Sequence, residues 1–302
     1  MSDSLVRAGA RALPAGLDAI GPLGFGCWRL TTSQTSQAQA LIETALDLGM
    51  NLVDTADVYG LDYGGSGFGG NEEVLGKVLA VAPHLRDRMV LATKGGIMPP
   101  TPYDSSDGYL RSAVDASLQR LGVDVIDLYQ IHRPDLFAHP VQVADTLGSL
   151  VSDGKIRAVG ISNHTPAQHD ALASHLEVPL ATSQPEYSPA FLGPMRDGTF
   201  DLCMRDGVVP LAWSPLGGGR LMSGDGVQSA LIATLDELAE REGVDRAALC
   251  YAFVLAHPSA PVALLGTQNP DRLRSATDAL NVHLDRADLY RIVQDSEAVP
   301  LP

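Results

Sequence analysis

The sequence predicts an α/β protein, a (β/α)8 TIM barrel with a short N-terminal hairpin and two extra helices. Three observations carry this expectation. Eight short apolar runs recur along the chain, and stretches with helical spacing separate them in strict alternation. No long linker rich in proline, serine or charge interrupts the alternation, so residues 1–302 are read as one barrel domain. Eight is also the number of parallel strands that closes such a sheet on itself.

The runs are PLGFGCW (22–28), NLVD (51–54), MVLATK (89–94), VIDLYQIH (125–132), IRAVGIS (156–162), ATSQ (181–184), VVPLAWS (208–214) and PVALLG (261–266). Between them stand QAQALIETALDLG, NEEVLGKVLAVA, SAVDASLQRLG, VADTLGSLVSDG, TPAQHDALASHL, RAALCYAFVLAHP and NPDRLRSATDAL, with a shorter helix expected within 190–205. Gly49, Gly122 and Gly154 stand where helix C-caps belong. Thr165 before Pro166 reads as an N-cap followed by proline at the first helical position. The patterns at 228–242 and 285–296 exceed the eightfold count and are the two extra helices.

Composition narrows the function. No stretch of eighteen apolar residues exists, so no membrane span is expected. The start, MSDSLVRAGARALPAG, lacks the apolar run of a signal peptide. Cys27, Cys203 and Cys250 are odd in number and show no C-x-x-C spacing, which fits a reducing cytoplasm and neither a disulfide framework nor a metal site. A net charge of −15 argues against nucleic-acid binding. It leaves room for an anionic cofactor, because local cations and helix N-termini offset the global field.

Barrel logic then acts as a filter, since polar residues at the C-terminal ends of strands face the mouth. Asp54, Lys94, His132, Ser162 with Asn163, Gln184, and Trp213 with Ser214 all stand there. Each alone has an ordinary reading: Asp54 as a turn cap, His132 as a turn histidine, Lys94 as a solvated lysine. Together they form a set that a purely structural barrel does not need. Buried charge is costly unless paired, so Asp54 and Lys94 on adjacent strands are expected to pair. A lysine ammonium beside the phenol of Tyr59 is expected to lower its pKa and ready it as a proton donor.

Two glycine-rich segments need separate readings. GSGFGG (65–70) matches G-x-G-x-x-G, but it does not follow a strand directly, and the next strand ends in lysine rather than an acid. It reads as a loop at the active-site mouth, not a dinucleotide fingerprint. WSPLGGGRL (213–221) does follow its strand directly, so its backbone N–H groups, with Arg220, suit phosphate oxygens. NPDRLRSA (269–276) opens a helix after the last strand, with Arg272 and Arg274 early in it. One of these arginines is expected to hold a phosphate, at the position where many barrels place that site.

These residues resemble the aldo-keto reductase family. LVDTADVYG is similar to its Asp-Thr-Ala-x-x-Tyr-Gly signature, and Lys94 in ATKGG, His132 in LYQIHRPD, Ser162–Asn163 in GISNHTP, Gln184 and the SPLGGG turn follow in family order. AWSPLGGGRL and HRPD look most like a bacterial subgroup. The resemblance covers nearly the whole chain. It implies reduction of an aldehyde or ketone with NADPH, or with NADH, bound without a Rossmann domain. Tyr59 would be general acid in reduction and base in alcohol oxidation, Asp54 and Lys94 would tune it, and His132 would orient the carbonyl. Ser162, Asn163 and Gln184 would hold the carboxamide, and Trp213 would stack on the nicotinamide. Ser214, Leu216 and Gly218 would line the pyrophosphate, and Thr267 and Arg272 the adenosine phosphate end. No metal is implied, and the partner is a small carbonyl compound.

Gly266 departs from the pattern, because many NADPH-dependent members carry lysine there. Ser275 and Ala276 also differ from common adenine contacts. The lost lysine motivates a second reading, an NAD-dependent dehydrogenase of a sugar or pyridoxine-type alcohol. A third is a non-catalytic nicotinamide-binding sensor or subunit.

Overall fold

The computed structural model describes residues 4–300. The first half runs β1 (Leu23–Gly26), α1 (Thr35–Asp47), β2 (Leu52–Asp54), α2 (Gly70–Val81), β3 (Val90–Gly95), α3 (Asp107–Leu121), β4 (Ile126–Ile131) and α4 (Pro140–Ser152). The second half runs β5 (Ile156–Ser162), α5 (Pro166–Ala173), β6 (Leu180–Gln184), α6 (Gly193–Arg196), α7 (Thr199–Asp206), β7 (Val209–Ala212), α8 (Arg220–Ser223), α9 (Ser229–Glu242), α10 (Arg246–Leu255), β8 (Val262–Leu265), α11 (Pro270–Ala276) and α12 (Arg286–Glu297). The eight strands pair in parallel and in chain order, and β8 closes on β1. This is the predicted (β/α)8 barrel.

Strand side chains alternate in direction, and the alternation sorts the core into two layers. Leu52, Val90, Ala92, Leu128, Ala158, Val209, Leu211, Val262 and Leu264 pack inside the barrel. Val53, Leu91, Tyr129, Ile131, Val159 and Ile161 pack outward beneath the helices. Extending the inward series by one step of two residues reaches Asp54, Lys94, Gln130, Trp213 and Gly266, and a second step reaches His132 on β4 and Ser162 on β5. The same periodicity that fills the barrel therefore delivers side chains to its C-terminal mouth.

The bottom of the barrel is closed by the N-terminal segment. Leu17 and Ile20 join the interior cluster, and Ile20 is fully buried. Covering a side chain of that size is worth ~1.5–3 kcal/mol. The expected N-terminal hairpin reduces to a single antiparallel bridge between Arg11 and Ile20. The Arg11 side chain instead donates to the carbonyls of Arg7, Gly9, Ala260 and Pro261, tying the segment to the loop before β8.

Local signals explain the helix ends. Gly122 adopts φ 66° at the C-cap of α3, a left-handed conformation that favours glycine. Thr165 accepts from the Gln168 N–H and Gln168 Oε1 accepts from the Thr165 N–H, a complete capping box with Pro166 at the first turn. The expected helix in 190–205 is two short helices, α6 and α7, separated where Gly198 takes φ 93°. The two extra helices are α9 and α12, and they pack on each other through an Arg291–Glu237 ion pair. Cys27, Cys203 and Cys250 are buried and unbridged. Burial pushes all three thiols well above their ordinary pKa.

Candidate active site

At the mouth lies a cavity of about 1230 Å³. Asp54, Tyr59 and His132 line it on one side, and Ser162, Asn163, Gln184, Trp213, Ser214, Leu216 and Gly218 continue the wall. Thr267 and Arg272 line the same cavity beside α11. Lys94 is completely buried behind this surface.

The Lys94 Nζ donates to Asp54 Oδ2 at 2.6 Å, to the Thr55 carbonyl at 2.8 Å and to the Tyr59 hydroxyl at 3.3 Å. The ammonium also sits 4.9 Å from the Tyr59 ring centroid. Burial pulls the Lys94 pKa down, but the Asp54 carboxylate and Tyr59 outweigh it, so the pKa ends above its ordinary value and the amine stays charged. The Tyr59 phenol moves opposite to the sequence expectation. Its pKa is raised, because burial pushes it up by more than Lys94 pulls it down. The Lys94 effect has the expected sign, and desolvation of a fully buried phenolate is the larger cost. Tyr59 is therefore a protonated phenol at neutral pH.

The His132 ring stands edge-on to Tyr59, with centroids 5.5 Å apart. Burial, with the nearby Lys94 and Arg133 charges, holds His132 well below the usual imidazole pKa, so the ring is neutral. Its Nδ1 is buried with no hydrogen-bond partner among the described residues.

Gln130 was not anticipated. It stands two residues before His132 on β4 and so faces the same way. Its Nε2 donates to Asp54 Oδ1 at 3.0 Å, and Gln184 Nε2 reaches the same oxygen at 3.1 Å. The Thr182 hydroxyl donates to Gln130 Oε1 at 3.3 Å. Room for this network depends on Gly160, where an added Cβ would fall 2.2 Å from Thr182 Oγ1 and 2.9 Å from Gln130 Cγ. The signal in the sequence that marks Gln130 is the alternation rule, because it precedes a predicted site residue by one full period.

On the neighbouring wall the groups brace one another. The Ser162 hydroxyl donates to the Gln184 carbonyl at 2.9 Å, and Asn163 Nδ2 donates to Ser162 Oγ at 2.7 Å. Trp213 Nε1 donates to Asn163 Oδ1 at 3.0 Å, which fixes the indole plane. Asn163 and Ser214 both adopt positive φ, 58° and 51°, a conformation that costs energy outside glycine. Residues 217–219 turn through three left-handed glycines, leaving open space beside Gly218 and Gly219.

Arg220 departs from expectation: it is not among the residues that line the cavity. Its Nε donates back to the Gly217 carbonyl at 3.0 Å, so it braces the turn. The two helix arginines also separate. Arg274 is tied to Asp271 at 2.8 Å, whereas Arg272 lines the cavity with no ion pair among the described residues. Gln268 Nε2, in the same region, is buried without a hydrogen-bond partner among the described residues. An orphaned donor, a free guanidinium and the helix cap Asn269 together suit a phosphate-bearing ligand end. The residues present thus fit an extended nicotinamide dinucleotide. Among the described residues no cluster of metal ligands exists.

A closed parallel barrel with this mouth and this polar set defines an NAD(P)H-dependent oxidoreductase. The profile of the Aldo/keto reductase family matches residues 22–296, and the chain belongs to that family. It is 47% identical over 305 residues, covering 100% of both chains, to a 6-dehydroglucose reductase of Novosphingobium aromaticivorans. A second 6-dehydroglucose reductase, from Agrobacterium fabrum, is 37% identical over 280 residues, 89% of this chain and 91% of the relative. Among solved structures, an aldo/keto reductase from Klebsiella pneumoniae in complex with NADP and acetate superposes with TM-score 0.79 at 25% identity, covering 97% of this chain and 96% of that one.

Proposed function

We propose that this protein reduces the aldehyde of a sugar-derived compound to a primary alcohol with NADPH, and that Tyr59 gives the proton. The observation that carries the reading is the Tyr59 hydroxyl, protonated at neutral pH, on the cavity wall with the Lys94 ammonium 3.3 Å behind it. The sugar aldehyde comes from the names of the two relatives above.

NADPH, once bound, would supply the hydride. As charge develops on the carbonyl oxygen, the Tyr59 hydroxyl gives up its proton toward it, and Lys94 stabilises the phenolate left behind. The neutral His132 ring beside Tyr59 orients the carbonyl. Asp54 holds Lys94 in place and balances its charge. Ser162, Asn163 and Gln184 would hold the carboxamide, and Trp213 would supply the stacking face. Thr267 and Arg272, with the 213–219 turn, would hold the phosphates.

A second reading is oxidation of a sugar alcohol with NAD. It rests on Gly266, which lies on the cavity wall with open space beside it and offers no cation to a 2′-phosphate. Purified protein assayed with 6-dehydroglucose and each reduced cofactor tests both. Rapid reduction with NADPH is expected. Reduction of other aldehydes but not of this one would remove the sugar assignment, and tighter binding of NADH than of NADPH would favour the second reading.

A further inference from the structure

The GSGFGG segment plays no part in the chemistry above, yet its folding is specific. Gly67 N donates to the Gly60 carbonyl at 2.9 Å, and Gly70 N to the Gly67 carbonyl at 3.0 Å. A Cβ at Gly60 would lie 2.4 Å from the Gly67 oxygen, and one at Gly65 would lie 2.4 Å from the Gly60 oxygen. Only glycine permits so close a return of backbone on backbone. The loop thus doubles back and carries residues 61–63 over the exit of β1.

There it meets the 3-10 turn Cys27–Arg29. Trp28 Nε1 donates to Asp62 Oδ2 at 3.2 Å, and Thr31 Oγ1 donates to the Tyr63 carbonyl at 3.2 Å. Trp28 and Tyr63 pack edge to face at 4.7 Å, and the Arg29 guanidinium lies 5.8 and 5.1 Å from their ring centroids. Trp28, Arg29 and Asp62 line the cavity that holds Tyr59 and His132. Neither Arg29 nor Asp62 has an ion-pair partner among the described residues, although most arginines of this acidic chain do.

We propose that Arg29 and Asp62 form a hydroxyl-recognising rim that selects neutral, polyhydroxylated aldehydes over apolar and anionic ones. The inference deepens the function proposed above and rests on it for the reaction. A guanidinium only donates hydrogen bonds and a carboxylate only accepts them, whereas a polyol offers both roles on adjacent carbons. An apolar chain would desolvate both charges without return. An anionic substituent would pair with Arg29 but be repelled by the Asp62 carboxylate beside it, whereas a neutral diol satisfies both groups.

Glyceraldehyde, butanal and glyceraldehyde 3-phosphate, all small aldehydes, separate these cases. For the parent protein, kcat/KM is expected to rank glyceraldehyde above both others. In Arg29→Met and in Asp62→Ala, the ratio of kcat/KM for glyceraldehyde over butanal is expected to fall at least about tenfold, as for loss of a hydrogen bond to a charged group. Both side chains are exposed, and circular dichroism melts check that each variant folds. An unchanged ratio in both variants overturns the proposal, as does a parent preference for the phosphorylated aldehyde. These ratios are independent of whether 6-dehydroglucose itself is reduced, so the rim and the sugar assignment fail separately.

Discussion

Gln184 donates from its amide to Oδ1 of Asp54 at 3.1 Å, so a residue on the Ser162–Asn163 wall of the cavity touches the carboxylate that anchors Lys94. Gln130 shares that oxygen at 3.0 Å and completes the link. Replacing Gln130 by leucine removes a buried donor and strands the Thr182 hydroxyl. Stability should fall by ~1–3 kcal/mol, the usual cost of an unmet buried polar group. We expect kcat to fall by about tenfold, equivalent to ~1.4 kcal/mol of transition-state stabilisation. Denaturant melts and steady-state kinetics on one preparation check both.

Tyr59→Phe should lower kcat for reduction by about 10²–10⁴-fold, the contribution of a positioned proton donor. The Kd for NADPH should stay within about twofold, because the cofactor phosphates and carboxamide are assigned to other residues. Direction matters for pH. The raised Tyr59 pKa keeps the proton donor loaded through neutral pH, so reduction should hold there and decline only in alkali. Alcohol oxidation needs the phenolate and should rise with pH over the same range. Opposite slopes in the two pH–rate profiles are the test, and parallel slopes would exclude Tyr59.

Gly266 continues the inward series of β8 and has free space beside it. Gly266→Lys should therefore fit without strain and present a cation to the cavity. We expect NADPH to bind about fivefold tighter, near 1 kcal/mol, with little change for NADH. Fluorescence titration with both cofactors measures this directly.

Asp57 is buried two residues before Tyr59, with Oδ2 accepting from the Tyr109 hydroxyl at 3.0 Å and Oδ1 unpartnered. Burial and the nearby Glu72 push its pKa up to about 7, against the opposing Tyr109 hydrogen bond and Arg120. The folded state therefore binds the proton more tightly than the unfolded chain. Its favourable contribution is complete below the unfolded carboxylate pKa and is lost as pH rises through about 7. Asp57→Asn should raise stability at pH ~8 by on the order of 1–2 kcal/mol relative to the parent, with a smaller gain at pH ~5. Thermal melts at both pH values check the sign.

The barrel was legible because each strand is short, apolar and punctuated, and because alternation places side chains two by two. Asp54, Lys94 and His132 follow from that rule, and Gln130 lies one period before His132 on the same face. The direction of the Tyr59 shift was not legible, since it is a difference between burial and one neighbouring charge, and burial depends on every loop around the mouth. Arg220 reads as a phosphate cation in sequence, yet a rotamer sends it to the Gly217 carbonyl. The Trp28–Asp62 contact joins positions 34 residues apart through a glycine turn whose path no local pattern specifies.

The three cysteines have a practical consequence. Each is enclosed and held as a neutral thiol, so none offers the thiolate that alkylating reagents attack. A single cysteine introduced at an exposed position, such as Phe137 in the loop after β4, would carry a maleimide dye with little background. The native chain is in that sense already a cysteine-silent scaffold for reporting motion at its own mouth.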